Sequence, residues 1–294
     1  MTIPTIGQLM KCYSIVAVAE RVKSGRPGER TVENALAGMR NICAAAGLQE
    51  DAPITALTRK AIDLALGNLL ARGVSRLTAR SYVWQMRSIF ARWTKGYYAD
   101  AGWKVKAFEL PSFRVQETRY QRPSSQQLAS VKAWYNSLSQ TRTCYPVWFA
   151  ATMMLEFAVR NGDVLRLKQE NFVERDGCRY LSYVPHKTEL TSGRRVFWPI
   201  HPSIWDRIES NGEASNLKLN DSVFEVINRA MRSMGFRGSK GAYELRKICV
   251  DHIYQKYGAE MATSISGDDI KTISRYYADP AQPNIGAVRV IDLL

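Results

Sequence analysis

The longest apolar run in the chain, Val147 to Val159, is broken only by Thr152 and Glu156. A helix of that length is shorter than the roughly 18–20 residues that cross a bilayer, so it must be covered by protein on every side. The run therefore predicts a buried core helix over 146–159. Arg160 follows it directly, and Asp163 stands three residues on. A guanidinium at the edge of such a core needs a partner, and a surface pair at that spacing is one way to supply it.

At 294 residues the chain can build two domains, each with its own core. Charge sets it apart. With 41 Lys+Arg against 27 Asp+Glu, the formal net charge is +14, which favours nucleic acid as partner, with an anionic membrane surface second. About ten of those net charges fall up to Arg122 and about four beyond it, so the first part is expected to be the main electrostatic clamp. The five cysteines are scattered, with no Cys-x-x-Cys pair, and the three histidines are dispersed. That pattern predicts reduced thiols, no disulfide framework and no metal site. With no charged-then-apolar leader pattern and no spanning run, the expectation is a soluble, cytoplasmic protein with no membrane partner.

Residues 1–20 read as a helix, and Lys23 to Gly28 as a loop broken by Gly and Pro. Thr31 is the expected cap of a second helix that Gly47 ends, and Thr58 of a third that Gly73 stops. A fourth begins at Ser75 or Thr78 and is expected to run through Met86 and Phe90 to Trp93. Residues 1–108 should thus form a helical domain. The fourth helix carries Arg76, Arg80 and Arg87 at helical spacing, with Thr78 and Ser81 near its start. No acid occurs between Arg72 and Tyr98, unlike an ordinary mixed surface, which makes this face a candidate for the DNA backbone. Residues 109–125, with Pro111, Arg114, Arg119 and Arg122, read as an extended basic linker. Beyond it come a helix over 126–138, capped by Ser124 or Ser125, and the apolar helix. Strands follow over 180–184 and 195–200, with 188–193 as a hairpin loop. Helices are expected over about 202–210, 220–234, 242–257, 259–264 and 269–277, then a short strand or docking tail over 285–294.

Near the C-terminus, Tyr243-Glu-Leu-Arg246 is followed about 22 residues later by Gly267-Asp268, and about nine residues further by Tyr277. A guanidinium can grip two phosphate oxygens at once, and a phenol can attack the phosphorus between them. Ala158-Val-Arg-Asn-Gly-Asp-Val-Leu-Arg-Leu167 resembles the G-L-R-x-x-E-L-x-x-L box of the tyrosine recombinases, the phage integrase family. Pro185-His-Lys-Thr-Glu189 resembles the segment holding that family's hairpin lysine, Tyr243 to Arg246 its H-x-L-R box, and Gly267-Asp268 its Gly-His. Ser75 to Trp93 is similar to the last helix of its core-binding domain.

The resemblance implies a mainly α fold with a small β-hairpin or sheet. An N-terminal helical core-binding domain (1–108) would be joined by the basic linker to an α+β catalytic domain with a C-terminal tail (126–294). It further implies a site-specific recombinase that cuts and rejoins double-stranded DNA through a 3′-phosphotyrosine. No cofactor and no metal are implied. The partners would be a homo-oligomer on DNA, a tetramer in this family, and accessory DNA-bending proteins. In a bacterial or phage setting it would be nucleoid-associated. Arg160 and Arg246 would hold the phosphate, Lys187 would protonate the leaving oxygen, and Asp163 would orient Arg160. Tyr277 would attack, with Tyr276 as the alternative when Ile270-Lys-Thr is matched to the family's I-x-T-T-x-x-Y. Arg76, Thr78, Arg80, Ser81, Arg87, Arg119 and Arg194 are the candidate DNA contacts.

The sequence departs from the pattern at Tyr243, where the family has His or Lys, and at Asp268, where it has His or Trp. Tyr243 keeps a hydrogen-bond donor. A carboxylate beside a phosphate repels it unless protonated or paired with an arginine, though it could instead accept the tyrosine's proton. A second reading is accordingly a catalytically silent DNA-binding protein on the same fold. A third is an RNA-processing or topoisomerase-like enzyme with the same chemistry.

Overall fold

The computed structural model describes residues 2–105, 120–138, 142–189, 193–211, 219–238 and 240–276, with backbone alone at 142 and 274–276. The chain divides into two compact units, Met1–Glu117 and Thr118–Leu294.

The first unit is helical: α1 (Ile6–Ser24), α2 (Glu29–Ala46), α3 (Arg59–Ala71), α4 (Arg76–Met86) and α5 (Thr94–Asp100). Thr58 and Ser75 cap α3 and α4 by accepting backbone N–H bonds at 3.2 and 3.1 Å, as their hydroxyls predict. The second helix differs from expectation. It starts at Glu29 with Gly28 at the cap position, so Thr31 lies inside its first turn. The fourth is shorter than its apolar periodicity suggests. Past Met86 it tightens into a 3-10 turn over Arg87–Phe90, and Ala91 is extended. The cause is local. The buried hydroxyls of Thr94 and Tyr98 both donate to the Ile89 carbonyl, at 3.1 and 2.8 Å, so that carbonyl is already taken. α2 packs on both α3 and α4 around Met39, Ile42, Ile62, Val83 and Met86.

The second unit is α+β. It begins with α6 (Ser125–Leu138), entered through a reciprocal cap: Ser124 Oγ accepts from Gln127 N–H at 3.2 Å, and Gln127 Oε1 from Ser124 N–H at 3.0 Å. Next come α7 (Tyr145–Leu155), the short α8 (Asn161–Val164), β1 (Phe172–Arg175), β2 (Cys178–Tyr183), α9 (His186–Glu189) and β3 (Val196–Pro199). The unit closes with α10 (Pro202–Ser210), α11 (Ser222–Ser233), α12 (Gly241–Ser266) and α13 (Ile270–Tyr276). α7 is buried along almost its whole length, against α11 and α12. It ends at Leu155 rather than Val159. The three strands form one antiparallel sheet, β1-β2-β3. β1 adds a strand to the two that the sequence predicts, although Asp176-Gly177, both at positive φ, is a strong hairpin signal. The turn α9 occupies the start of the expected hairpin loop. α12 breaks at Gly258, where the sequence pattern separates two helices.

The terminal segment 285–294 and most of the linker lie outside the described residues. Arg122, at the linker's end, is not an open cation. It makes a two-pronged ion pair with the nearly buried Asp251 of α12, at 2.9 and 3.2 Å. Among the described residues no helix is long and apolar enough to cross a membrane, and no group of three or more His, Cys, Asp or Glu could hold a metal ion.

Candidate active site

The end of α7 places the first arginine. Ala158, wholly buried, takes a left-handed conformation (φ 51), and Val159 N–H reaches back to the Met153 carbonyl at 2.9 Å. This reversal throws Arg160 out in an extended conformation at the start of α8, its side chain only 14% exposed. The second arginine lies in the second turn of α12 and has no exposed side-chain surface. α12 starts where it does because Asn228 of α11 accepts the Ala242 N–H at 2.7 Å.

Both guanidiniums meet on one carboxylate. Arg160 Nη2 donates to Asp268 Oδ1, and Arg246 Nη2 donates to Asp268 Oδ2 at 2.5 Å and to the Ser266 carbonyl at 3.0 Å. Gly267 makes this possible. It ends α12 in the left-handed region (φ 66), where an added Cβ would lie 3.0 Å from Pro185 Cγ. Asp268 N–H then donates to Ser266 Oγ at 3.1 Å, fixing the turn.

Asp163 ties the remaining pieces together. Its Oδ2 lies 3.8 Å from Arg160 Nη1, and its Oδ1 accepts the His186 backbone N–H at 3.0 Å. It thus anchors the turn that carries Lys187 and sets a second carboxylate beside Arg160. Lys187 is exposed. It helps hold the Asp269 carboxyl below its usual range, an effect led by the Thr272 backbone N–H at 2.7 Å.

Arg160, Lys187, Tyr243 and Asp268 line one cleft of about 950 Å³, together with Arg237 and Lys247. The fold brings Arg160, Lys187, Tyr243, Arg246 and Asp268 into one neighbourhood, as their order and spacing suggest. Tyr277 lies outside the described residues, and Tyr276 is the last residue of α13.

Sequence reasoning passes over Tyr183. It sits on β2, 4% exposed, and its hydroxyl has no hydrogen-bond partner among the described residues. Burial raises its phenol; the nearby Arg246 pulls the other way. Its strand alternation with Leu181 is a legible inward signal.

In the first unit, Arg76 and Arg87 are exposed and Arg80 is partly buried. The Thr78 hydroxyl pairs with Ser75 Oγ at 2.8 Å, and Ser81 Oγ accepts from Gln85 at 3.0 Å, so both are engaged within the helix. Sequence reasoning also misses Trp84. It is 55% exposed, with the guanidinium carbons of Arg80 and Arg87 at 6.0 and 5.3 Å from its ring centre. In the second unit Arg194 is exposed just before β3; Arg119 lies outside the described residues.

No family model matches the sequence, and no curated protein does. Solved structures do. A lambda integrase tetramer bound to a Holliday junction superposes with a TM-score of 0.64 at 16% identity, over 91% of this chain and 75% of that one. The XerH site-specific recombinase, in a post-cleavage complex with a palindromic difH substrate, gives 0.63 at 12%, over 91% and 89%. The Tn1549 transposon integrase with circular intermediate DNA gives 0.59 at 10%, over 95% and 96%. At such identities the likeness is one of fold, and it spans both units: this chain has the fold of the tyrosine recombinases.

Proposed function

We propose that the chain is a site-specific, integrase-like DNA recombinase that breaks and rejoins strands through a 3′-phosphotyrosine, serving a mobile element. The observation that carries this reading is the convergence of Arg160 and Arg246, from separate elements, on a single anionic group. Fixed guanidiniums at that point would stabilise the charge that builds on non-bridging phosphate oxygens as phosphorus is attacked. The Tyr277 oxygen, or that of Tyr276, would bond to phosphorus while the bond to the 5′-oxygen breaks, the phenol's proton passing to solvent. Lys187 would give the leaving oxygen its proton, with Tyr243 donating to the phosphate. Reversal by another strand's 5′-hydroxyl completes the exchange, and the stored ester makes an external energy source unnecessary.

On this reading residues 1–108 form a core-binding domain, 109–125 a basic linker and 126–294 the catalytic domain. Arg76, Arg80, Arg87, Arg119 and Arg194 would contact the DNA backbone, with Thr78 and Ser81 beside them. The working assembly would be a homo-tetramer on double-stranded DNA in the cytoplasm, with DNA-bending accessory proteins where a site requires them. The excess of 41 Lys+Arg over 27 Asp+Glu supports a duplex partner.

One observation favours a second reading, a silent DNA-binding protein: Asp268 already occupies the point where the arginines meet. A nicked suicide duplex separates the two. Incubation followed by a denaturing gel should give a shifted, covalent protein–DNA band, lost in Tyr277→Phe and kept in Tyr276→Phe. The reverse pattern assigns attack to Tyr276. Binding without any covalent band sinks the enzymatic reading.

A further inference from the structure

We infer that Asp268 is a resident occupant of the phosphate seat: its carboxylate holds Arg160 and Arg246 in their working geometry at rest and must be displaced before a phosphodiester can be gripped. This rests on the proposal that the seat takes a DNA phosphate.

The geometry of the contact is that of a bound oxyanion. One carboxylate oxygen faces Arg160 and the other faces Arg246, so two guanidiniums share a single two-oxygen anion, as they would share two non-bridging phosphate oxygens. All three side chains are withdrawn from water, with Arg246 fully buried, Asp268 9% exposed and Arg160 14% exposed. Asp163 stands only beside Arg160, at 3.8 Å, so without Asp268 the two cations would share a single carboxylate and repel each other in a poorly solvated cleft. The carboxylate removes that cost. Because a phosphodiester carries the same single negative charge, exchanging one for the other leaves the charge of the seat unchanged.

The competition is uneven. Asp268 is tethered within reach of both arginines, and a tethered group acts at a high effective concentration. An isolated phosphate therefore loses to it. A phosphate in a duplex held by many other contacts can win. Displacement also reaches the attacking segment. Asp268 is fixed by the Gly267 turn and the Ser266 hydroxyl and lies two residues before α13, the helix that ends at Tyr276. Displacing the carboxylate therefore acts directly beside the start of that helix, whose Ile273 stays buried in the core.

The test uses inorganic phosphate as probe, read by titration calorimetry on the full chain without DNA. Asp268→Asn and Asp268→Ala should each bind phosphate at least about tenfold more tightly than the unchanged chain. Adding Arg160→Ala to Asp268→Ala should remove the gain. Emptying the seat also exposes the arginines to each other, so Asp268→Ala should melt lower in phosphate-free buffer. Its melting point should recover with phosphate, saturably, while the unchanged chain responds little. An equal phosphate affinity in all three proteins overturns the proposal. So does a gain that survives Arg160→Ala, or a failure to fold that phosphate does not correct in either variant. The suicide duplex distinguishes this outcome from failure of the enzymatic reading. A phosphate gain without any covalent band in the unchanged chain leaves the resident carboxylate standing and removes strand transfer. A covalent band without the phosphate gain does the reverse.

Discussion

The arginines of the two units live in opposite surroundings. On α4 and the 3-10 turn that follows it, Arg76 and Arg87 stand in water, and Arg80 and Arg87 lean on an exposed tryptophan. In the cleft, Arg246 has no exposed surface and Arg160 little, and both are bound to one carboxylate. An exposed arginine costs little to hold and acts by displacing counterions, so it adds affinity without demanding exact placement. A buried one must be held by a charged partner, which fixes its position closely enough to act on a particular atom. Folding energy should therefore depend on the second set and, on the proposed reading, DNA attraction on the first.

The largest effect tests the buried side. Arg246→Ala leaves the Ser266 carbonyl without that donor and takes one of two cations from Asp268, so it should cost about 3–5 kcal/mol of stability. Chemical denaturation would show this as a lower midpoint. A loss below about 0.5 kcal/mol, the range of ordinary surface changes, would break the comparison. Smaller, and on the same side, is Gly267→Ala. A Cβ at φ 66, 3.0 Å from Pro185 Cγ, should cost about 1–2 kcal/mol. The exposed side should behave in the opposite way. Arg80→Ala and Arg87→Ala together should leave the denaturation midpoint within about 0.5 kcal/mol. On the proposed reading they should also flatten the fall of log affinity with log salt, by about one unit of slope for each phosphate left without its arginine. An unchanged slope would remove α4 from the interface.

How far the sequence reveals this depends on whether the cause is local. Caps at Thr58 and Ser75, the apolar stripe of α2 and the burial of α7 follow from residue types within a turn or two. The end of α4 does not, because it depends on Thr94 and Tyr98 capturing a carbonyl that belongs to the preceding turn. In the site, the order of Arg160, Lys187, Arg246 and Asp268 is legible, since each falls in a recognisable short pattern. Their electrostatic arrangement is not. Asp268 reads as an anion set against a phosphate, and only folding puts each of its oxygens on a guanidinium. With both oxygens so engaged, the carboxylate is poorly placed to accept a tyrosine's proton while it stays there. Tyr183 and the second role of Asp163 escape for a related reason: they come from what packs around the side chain, including the His186 N–H that Asp163 accepts.

The smallest predicted effect concerns the backbone that delivers Arg160. Gly267 and Ala158 are both left-handed, and each lies within two residues of a group in the seat, yet only one of them is glycine. For a residue with a Cβ, that conformation costs about 1–2 kcal/mol, so Ala158 holds strain where the family's box has glycine. Ala158→Gly relieves the strain but loosens the unfolded chain, which offsets about 0.4–1 kcal/mol of the gain. Ala158 is fully buried, and losing one methyl takes back a further part. The net should be a stabilisation of at most about 1 kcal/mol, seen as a small rise in denaturation midpoint. Phosphate binding in the Asp268→Asn background should stay the same, because Arg160 is also held by Asp163 at 3.8 Å. A fall in that binding would mean that the strained alanine, rather than Asp163, sets where the guanidinium points. The buried arginines would then owe their placement to backbone strain more than to their partners.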